Sequence, residues 1–179
     1  MPRYGMLIDV SQCVGCFACR VDCQMTNSLP PSESFIKFYE RETGTYPNVS
    51  LQIFPVQCQH CEDAPCVDVC PTGASYYTEE GMVLVDHEKC IGCKYCMVAC
   101  PYDARVVNEE TGVVEKCRFC YEAVTAGWQP ACVETCIGSA RIFGDLDDPN
   151  SEISKAIVEK NAQQLRPDLG TKPKIFYVR

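Results

Sequence analysis

Apolar positions in this chain come in short runs separated by polar and cysteine-rich stretches. MLIDV (6–10), VSLQIF (49–54) and MVLVD (82–86) are five or six residues long and rich in aliphatic and β-branched side chains, the length and composition of short strands. ASYYT (74–78) and MVLVD flank Glu79-Glu80-Gly81, which predicts a tight hairpin, and ARVVN (104–108) and VVEKC (113–117) flank a second turn at Glu109–Gly112. Residues 24–48 carry Pro-Pro, Ser and Gly punctuation and read as an insert between units. Ser151 is placed to cap a helix through ISKAIVEKNAQQL (153–165), and RPDLGTKPKIFYVR (166–179) reads as an extended tail. Short cysteine-bearing helices are expected after each cysteine loop, so the fold class is α+β. No run of about 18 apolar residues occurs, so no spanning helix is expected.

Composition narrows this further. The 179 residues make one compact domain or two small fused ones. Lys+Arg 16 against Asp+Glu 24 gives −8, a poor balance for binding nucleic acid, which asks for a basic face. The 46% hydrophobic content includes 16 cysteines, so the aliphatic core is small and inorganic staples are expected. A disulfide scaffold would need an oxidising compartment and a secretory signal. Met1-Pro2-Arg3 runs directly into YGMLIDV, with no long apolar stretch and no twin arginine, so no export signal of its own is expected.

The sixteen cysteines fall into four groups with none left over. Motif one is Cys13, Cys16, Cys19 and Cys23; motif two, in CQHCEDAPCVDVCP, is Cys58, Cys61, Cys66 and Cys70. Motif three, in CIGCKYCMVACP, is Cys90, Cys93, Cys96 and Cys100; motif four, in CRFC and ACVETC, is Cys117, Cys120, Cys132 and Cys136. Every group ends in C-x3-C, and motifs one and three have the complete C-x2-C-x2-C-x3-C run in which three thiolates hold one [4Fe-4S] cube and the fourth holds the other cube of a pair. Two-residue gaps wrap a loop around three corners of a cube, and the three-residue step starts a helix that carries the last thiolate to a second cube. Pro71 and Pro101 follow their last cysteine, where a fixed φ shapes the exit. Zinc would need only four ligands and gives no reason for the third and fourth cysteine of each close run. Disulfides could not link so many neighbours within one loop. Four cubes use all sixteen thiols.

The chain also repeats itself. LIDVSQCVGCFACRVDC (7–23) aligns without gaps on LVDHEKCIGCKYCMVAC (84–100), and APCVDVCPTGAS (64–75) matches PACVETCIGSA (130–140). Each ferredoxin-like unit should combine one motif of each kind, in tandem (one with two, three with four) or nested (two with three inside one with four). Sequence permits both. His60 is read as a loop residue that positions backbone or meets a partner, since its quartet is complete without it, and His87 as a turn residue. Arg20, Lys94, Lys116 and Arg118 are read as solvated bases beside the loops, with a role in raising cluster potentials as the alternative. Trp128 and the ASYY segment are read as packing or interface. No catalytic base, nucleophile or open metal site is recognisable, so the chain is not expected to be an enzyme by itself.

MLIDVSQCVGCFACRVDC, CQHCEDAPCVDVCPTGASY, GMVLVDHEKCIGCKYCMVACPYDAR, VEKCRFC, PACVETC, FGDLDDP and LRPDLGTKPKIFY together span nearly the whole chain. In these segments the protein resembles the four-cluster electron-transfer subunits of molybdopterin oxidoreductases, with the polysulfide, thiosulfate and dimethyl sulfoxide reductase branch nearest. The resemblance implies two pseudo-symmetric ferredoxin-like lobes with nested connectivity. Carried over, it gives one cluster to Cys13, Cys16, Cys19 and Cys136, on the catalytic-subunit side. A second falls to Cys23, Cys117, Cys120 and Cys132, a third to Cys58, Cys61, Cys66 and Cys100. The last, nearest a membrane quinone subunit, falls to Cys70, Cys90, Cys93 and Cys96. Ferredoxin-type segments are then 4–34, 49–80 and 81–110, with 111–145 completing the first lobe and 146–179 a terminal helix and tail. The resemblance further implies a molybdenum or tungsten catalytic partner and an integral-membrane quinone-binding partner. The chain would be membrane-associated through them, on the periplasmic face by co-export or on the cytoplasmic face. Motif four ends Cys136-Ile137 where relatives have Cys-Pro, but proline is not a ligand. The equivalent subunit of a formate dehydrogenase or hydrogenase is the alternative within redox proteins; a zinc-binding interaction module is the alternative from another class.

Overall fold

The computed structural model describes residues 2–179. Its central sheet starts from β1 (Tyr4–Asp9), whose Met6, Leu7 and Ile8 are fully buried. β1 lies between two strands from the far end of the chain: β8 (Arg141–Asp145), antiparallel, and β10 (Ile175–Val178), parallel. β9 (Gln163–Gln164) pairs with the outer edge of β10. The segment read as an extended tail is therefore an interior strand, with Ile175 and Tyr177 in the core. Its short apolar alternation, IFYV, satisfies a buried edge of β1.

Three hairpins complete the strands. β2 (Lys37–Thr45) and β3 (Asn48–Val56) form a long arm, β4 (Ser75–Tyr77) pairs with β5 (Val83–Val85), and β6 (Arg105–Val107) pairs with β7 (Val114–Lys116). The stretch read as an insert thus supplies a strand, because KFYERETGT pairs with NVSLQIFPV residue for residue across a nine-residue register. The expected tight turn at Glu79–Gly81 is a five-residue connection, 78–82, closed by the Thr78 N–H donating to the Met82 carbonyl at 2.8 Å.

Helices are short. α1 (Ala18–Thr26) carries the end of motif one, α2 (Pro65–Asp68) motif two, α3 (Tyr95–Val98) motif three, and α4 (Tyr121–Thr125) and α5 (Ala131–Glu134) motif four. α6 (Glu152–Glu159) begins where expected: Ser151 Oγ accepts the Ser154 N–H at 3.2 Å. It ends six residues sooner than the apolar spacing suggested, because Asn161 turns left-handed at φ 48° and hands the chain to β9.

The pairing of elements follows the duplication. The strand before motif one (β1) pairs with the strand after motif four (β8), and α1 packs on α5. The strand after motif two (β4) pairs with the strand before motif three (β5), and α2 packs on α3. One continuous core joins both halves, and cysteines interleave with its apolar side chains: Cys19, Cys23, Cys58, Cys61, Cys66, Cys96, Cys117 and Cys132 lie among Met6, Ile8, Ile36, Met82, Phe119 and Tyr177.

Candidate metal centres

The cysteine loops are built alike. In the first C-x2-C of each motif the residue before the second cysteine is left-handed: Gly15 (φ 65°), His60 (φ 44°), Gly92 (φ 65°) and Phe119 (φ 53°). That conformation folds the loop back on itself so that successive thiols share one side. Strands lead into the loops through a carboxylate. Asp9 Oδ1 accepts the Ser11 N–H at 3.1 Å, and in the repeat Asp86 Oδ1 accepts the Glu88 N–H at 3.0 Å. Three loops exit by the same turn, with Gly73, Asp103 and Ser139 left-handed three residues after Cys70, Cys100 and Cys136. The turn points backbone donors at sulfur: Ser75 N–H donates to Cys70 Sγ at 3.4 Å and Ala140 N–H to Cys136 Sγ at 3.3 Å.

Folding gathers the thiols across motifs. Cys13, Cys16, Cys19 and Cys136 line one pocket, Cys23, Cys117, Cys120 and Cys132 a second, and Cys70, Cys90, Cys93 and Cys96 a third. Cys61 has Cys58, Cys66 and Cys100 as the neighbouring thiols that act on it. Among the described residues no group of three or more His, Cys, Asp or Glu side chains converges as a single bound ion requires. The thiols of each set instead stand apart around a shared pocket. Four soft donors around a space too wide for one ion fit a polynuclear iron–sulfur group, and disfavour zinc, which draws its sulfurs in to about 2.3 Å.

Burial grades along the set. Cys16 and Cys93 are exposed, whereas Cys23, Cys117, Cys132, Cys58, Cys61 and Cys66 are buried. Burial pushes the Cys23 and Cys61 thiols up to about 12 and Cys132 up to about 11. Ligation must therefore displace their protons, and the iron supplies the driving force.

His60 is fully buried, and its ring stacks on Phe119 at 3.8 Å and 10°. These two occupy the same position in motifs two and four, so the rings meet between the halves. His60 Nδ1 accepts the Val83 N–H at 3.2 Å, and burial holds the imidazole well below its ordinary range, hence neutral. It positions backbone, and the surface-contact option falls. Lys116 is buried too, donating from Nζ to the Val83 and Cys117 carbonyls, which corrects its reading as a solvated base. Arg118 does pair at the surface with Glu122. Trp128, Tyr76 and Tyr77 are exposed, and the Tyr77 hydroxyl accepts the Ala64 N–H at 2.7 Å. His87 lies exposed in its turn.

Two residues escaped the sequence reading: Arg105 and Arg141, at 3% and 5% exposure. Each stands five places after the last cysteine of its motif, in CPYDAR and CIGSAR. That matched position in the repeat was the available signal. Arg141 Nη1 donates to Gln57 Oε1 at 2.7 Å and reaches Cys132 Sγ at 3.9 Å, while the Gln57 amide Nε2 lies 4.0 Å from Cys117 Sγ.

These features define a ferredoxin-like iron–sulfur protein, and comparison with known proteins agrees. Residues 49–146 and 12–74 each match a family described as a 4Fe-4S dicluster domain; together they account for four clusters. The chain is 42% identical to a tetrathionate reductase subunit of Salmonella typhimurium, covering 98% of this chain and 72% of that protein. It is 40% identical to a putative dimethyl sulfoxide reductase iron-sulfur subunit of Halobacterium salinarum, covering 99% and 79%. It is 42% identical to a sulfite dehydrogenase subunit of Allochromatium vinosum, covering 99% and 83%. The chain belongs to the family of [4Fe-4S] electron-transfer subunits of molybdopterin oxidoreductases, whose members are not catalytic by themselves.

Proposed function

We propose that the chain relays electrons between a molybdenum or tungsten catalytic subunit and a membrane quinone subunit through two ferredoxin-like lobes with nested connectivity. In this reading Cys13, Cys16, Cys19 and Cys136 hold one [4Fe-4S] cluster and Cys23, Cys117, Cys120 and Cys132 the next. Cys58, Cys61, Cys66 and Cys100 hold the third, and Cys70, Cys90, Cys93 and Cys96 the fourth. Each group supplies one-electron redox chemistry when bound.

The observation that supports the reading is that the proposed sets neighbour one another in order, with the exposed thiols Cys16 and Cys93 in the two outer sets. Cys19 acts on Cys23, Cys58 on Cys117, and Cys66 on Cys96, so each quartet neighbours the next. Six of the eight inner thiols are buried and Cys100 and Cys120 are half-buried, while Cys16 and Cys93 bring the outer quartets to the surface. Both ends wear matching apolar rims, Val14 and Val21 at one, Ile91 and Val98 at the other, all more than half exposed. Such rims suit partner subunits, which must come close for electrons to pass. The cross-pairing of β1 with β8 and of β4 with β5 supports the nested order. Among the described residues no helix is long and apolar enough to cross a membrane, so membrane association in this reading runs through the partner.

Anaerobic purification through a tag on this chain tests the proposal. It should bring down a large molybdenum or tungsten subunit and an integral-membrane subunit, with about sixteen iron and sixteen labile sulfide per chain. Zinc in place of iron, or half the iron in a fully loaded sample, contradicts it.

A further inference from the structure

Arg105 and Arg141 are buried cations with no carboxylate to answer them. Arg105 Nε, Nη1 and Nη2 and Arg141 Nη2 are buried without hydrogen-bond partners. Among the described residues neither arginine belongs to an ion pair. An unpaired buried charge costs several kcal/mol, and a guanidinium cannot escape by losing its proton. The missing counter-charge must come from something else in the core.

What surrounds them is sulfur, and from two quartets each time. Around Arg105 stand Cys58 and Cys66 of one quartet and Cys96 of the next. Around Arg141 stand Cys19 and Cys136 of one and Cys132 of the next. The corresponding places after motifs one and two hold serines, Ser28 and Ser75. The duplication thus leaves one arginine per half, wedged between the two quartets of that half. Four thiolates around an iron–sulfur core carry net negative charge, and each electron taken up adds one more.

We propose that Arg105 and Arg141 are the counter-charges of the cluster pairs, one per lobe, and that each raises the reduction potential of the clusters beside it. This rests on the nested quartets described above. The guanidinium stays protonated in both redox states, so no proton need accompany the electron. Gln57 extends the reach of Arg141, since its amide oxygen takes the Arg141 donor and its amide nitrogen lies against Cys117.

The test uses the full chain, purified anaerobically with its clusters, and follows each EPR signal through a redox titration. Signals are first assigned to quartets with single Cys→Ser variants. Arg141→Met is expected to shift the reduction equilibrium of at least one cluster of its own lobe tenfold toward the oxidised form, about 59 mV for one electron. Clusters of the other lobe should hold their potentials, Arg105→Met should do the converse, and lysine at either place should restore most of the shift. Full iron content with four unchanged potentials in the methionine variants overturns the proposal, as does a shift that lysine does not reverse. If a methionine variant loses iron, the lysine variant decides: retention supports a charge role, and equal loss overturns it. Should the Cys→Ser assignment put Cys13 and Cys70 on one cluster, the nested pairing fails, whatever the arginine variants do.

Discussion

A methyl group on Gly92 would stand 2.7 Å from the Gly112 carbonyl oxygen, at a φ of +65°. The left-handed backbone alone costs a side chain about 1–2 kcal/mol, and the contact with rigid backbone adds to it. Gly112 shares the positive φ, but nothing lies within 4 Å of its would-be methyl. Gly92→Ala should therefore lower the thermal midpoint more than Gly112→Ala, and it alone should shed iron from the motif-three loop; equal effects would count against the loop geometry. Asp9 makes a different kind of contribution. Burial pushes its carboxyl up, but hydrogen bonds from Lys160 (2.8 Å) and Ser11 outweigh this and hold it below its ordinary 3.8. A lowered folded pKa means the stabilisation is complete above the unfolded value and disappears as pH falls through the folded one. Asp9→Asn should cost roughly 1–3 kcal/mol at neutral pH. Lys160→Met should cost a similar amount and add little to Asp9→Asn in anaerobic unfolding at neutral pH, and fully additive costs would rule out the charged contact.

At the scale of elements, the β2–β3 arm and β10 should respond oppositely to removal. Residues 39–51 of the arm are exposed throughout. Replacing residues 42–51 by a short turn should leave iron content and protease resistance unchanged. Deleting residues 175–178 removes the strand between β1 and β9 together with buried Ile175 and Tyr177, and should abolish the folded state. Limited proteolysis and iron analysis separate the two outcomes. Local pattern foretold β1, β3, β5 and the Ser151 cap because each announces itself over a few residues. It did not foretell β10's place. IFYV is as apolar as any edge strand, and its pairing with β1 joins residues 6–9 to 175–178, a separation that short-range periodicity does not encode. The end of α6 was missed for a related reason: apolar spacing continues past Lys160, while tertiary pairing of Gln163 and Gln164 claims the chain.

For the whole molecule, the number of clusters was legible because sixteen thiols divide evenly into four cubes. Which motif completes which quartet was not, since C-x3-C says only that the last thiol leaves its loop. The burial of His60, Lys116, Arg105 and Arg141 was equally hidden: a charged residue beside a loop looks solvated until the facing loop is in place. With cysteines occupying so much of the core, folding should depend on iron. Chelation under reducing conditions should abolish protease resistance, and a cooperative thermal transition surviving without iron would contradict this. The central claim, nested quartets in single file, is tested most directly by Cys13→Ser, Cys136→Ser and Cys70→Ser, each followed by EPR-monitored redox titration. Serine oxygen is a harder ligand than thiolate, so the affected cluster alone should shift in potential or lose an iron. Cys13→Ser and Cys136→Ser are expected to perturb one signal, and Cys70→Ser another that it shares with Cys90→Ser. If Cys13 and Cys70 act on one cluster, the nested order and the relay built on it are wrong.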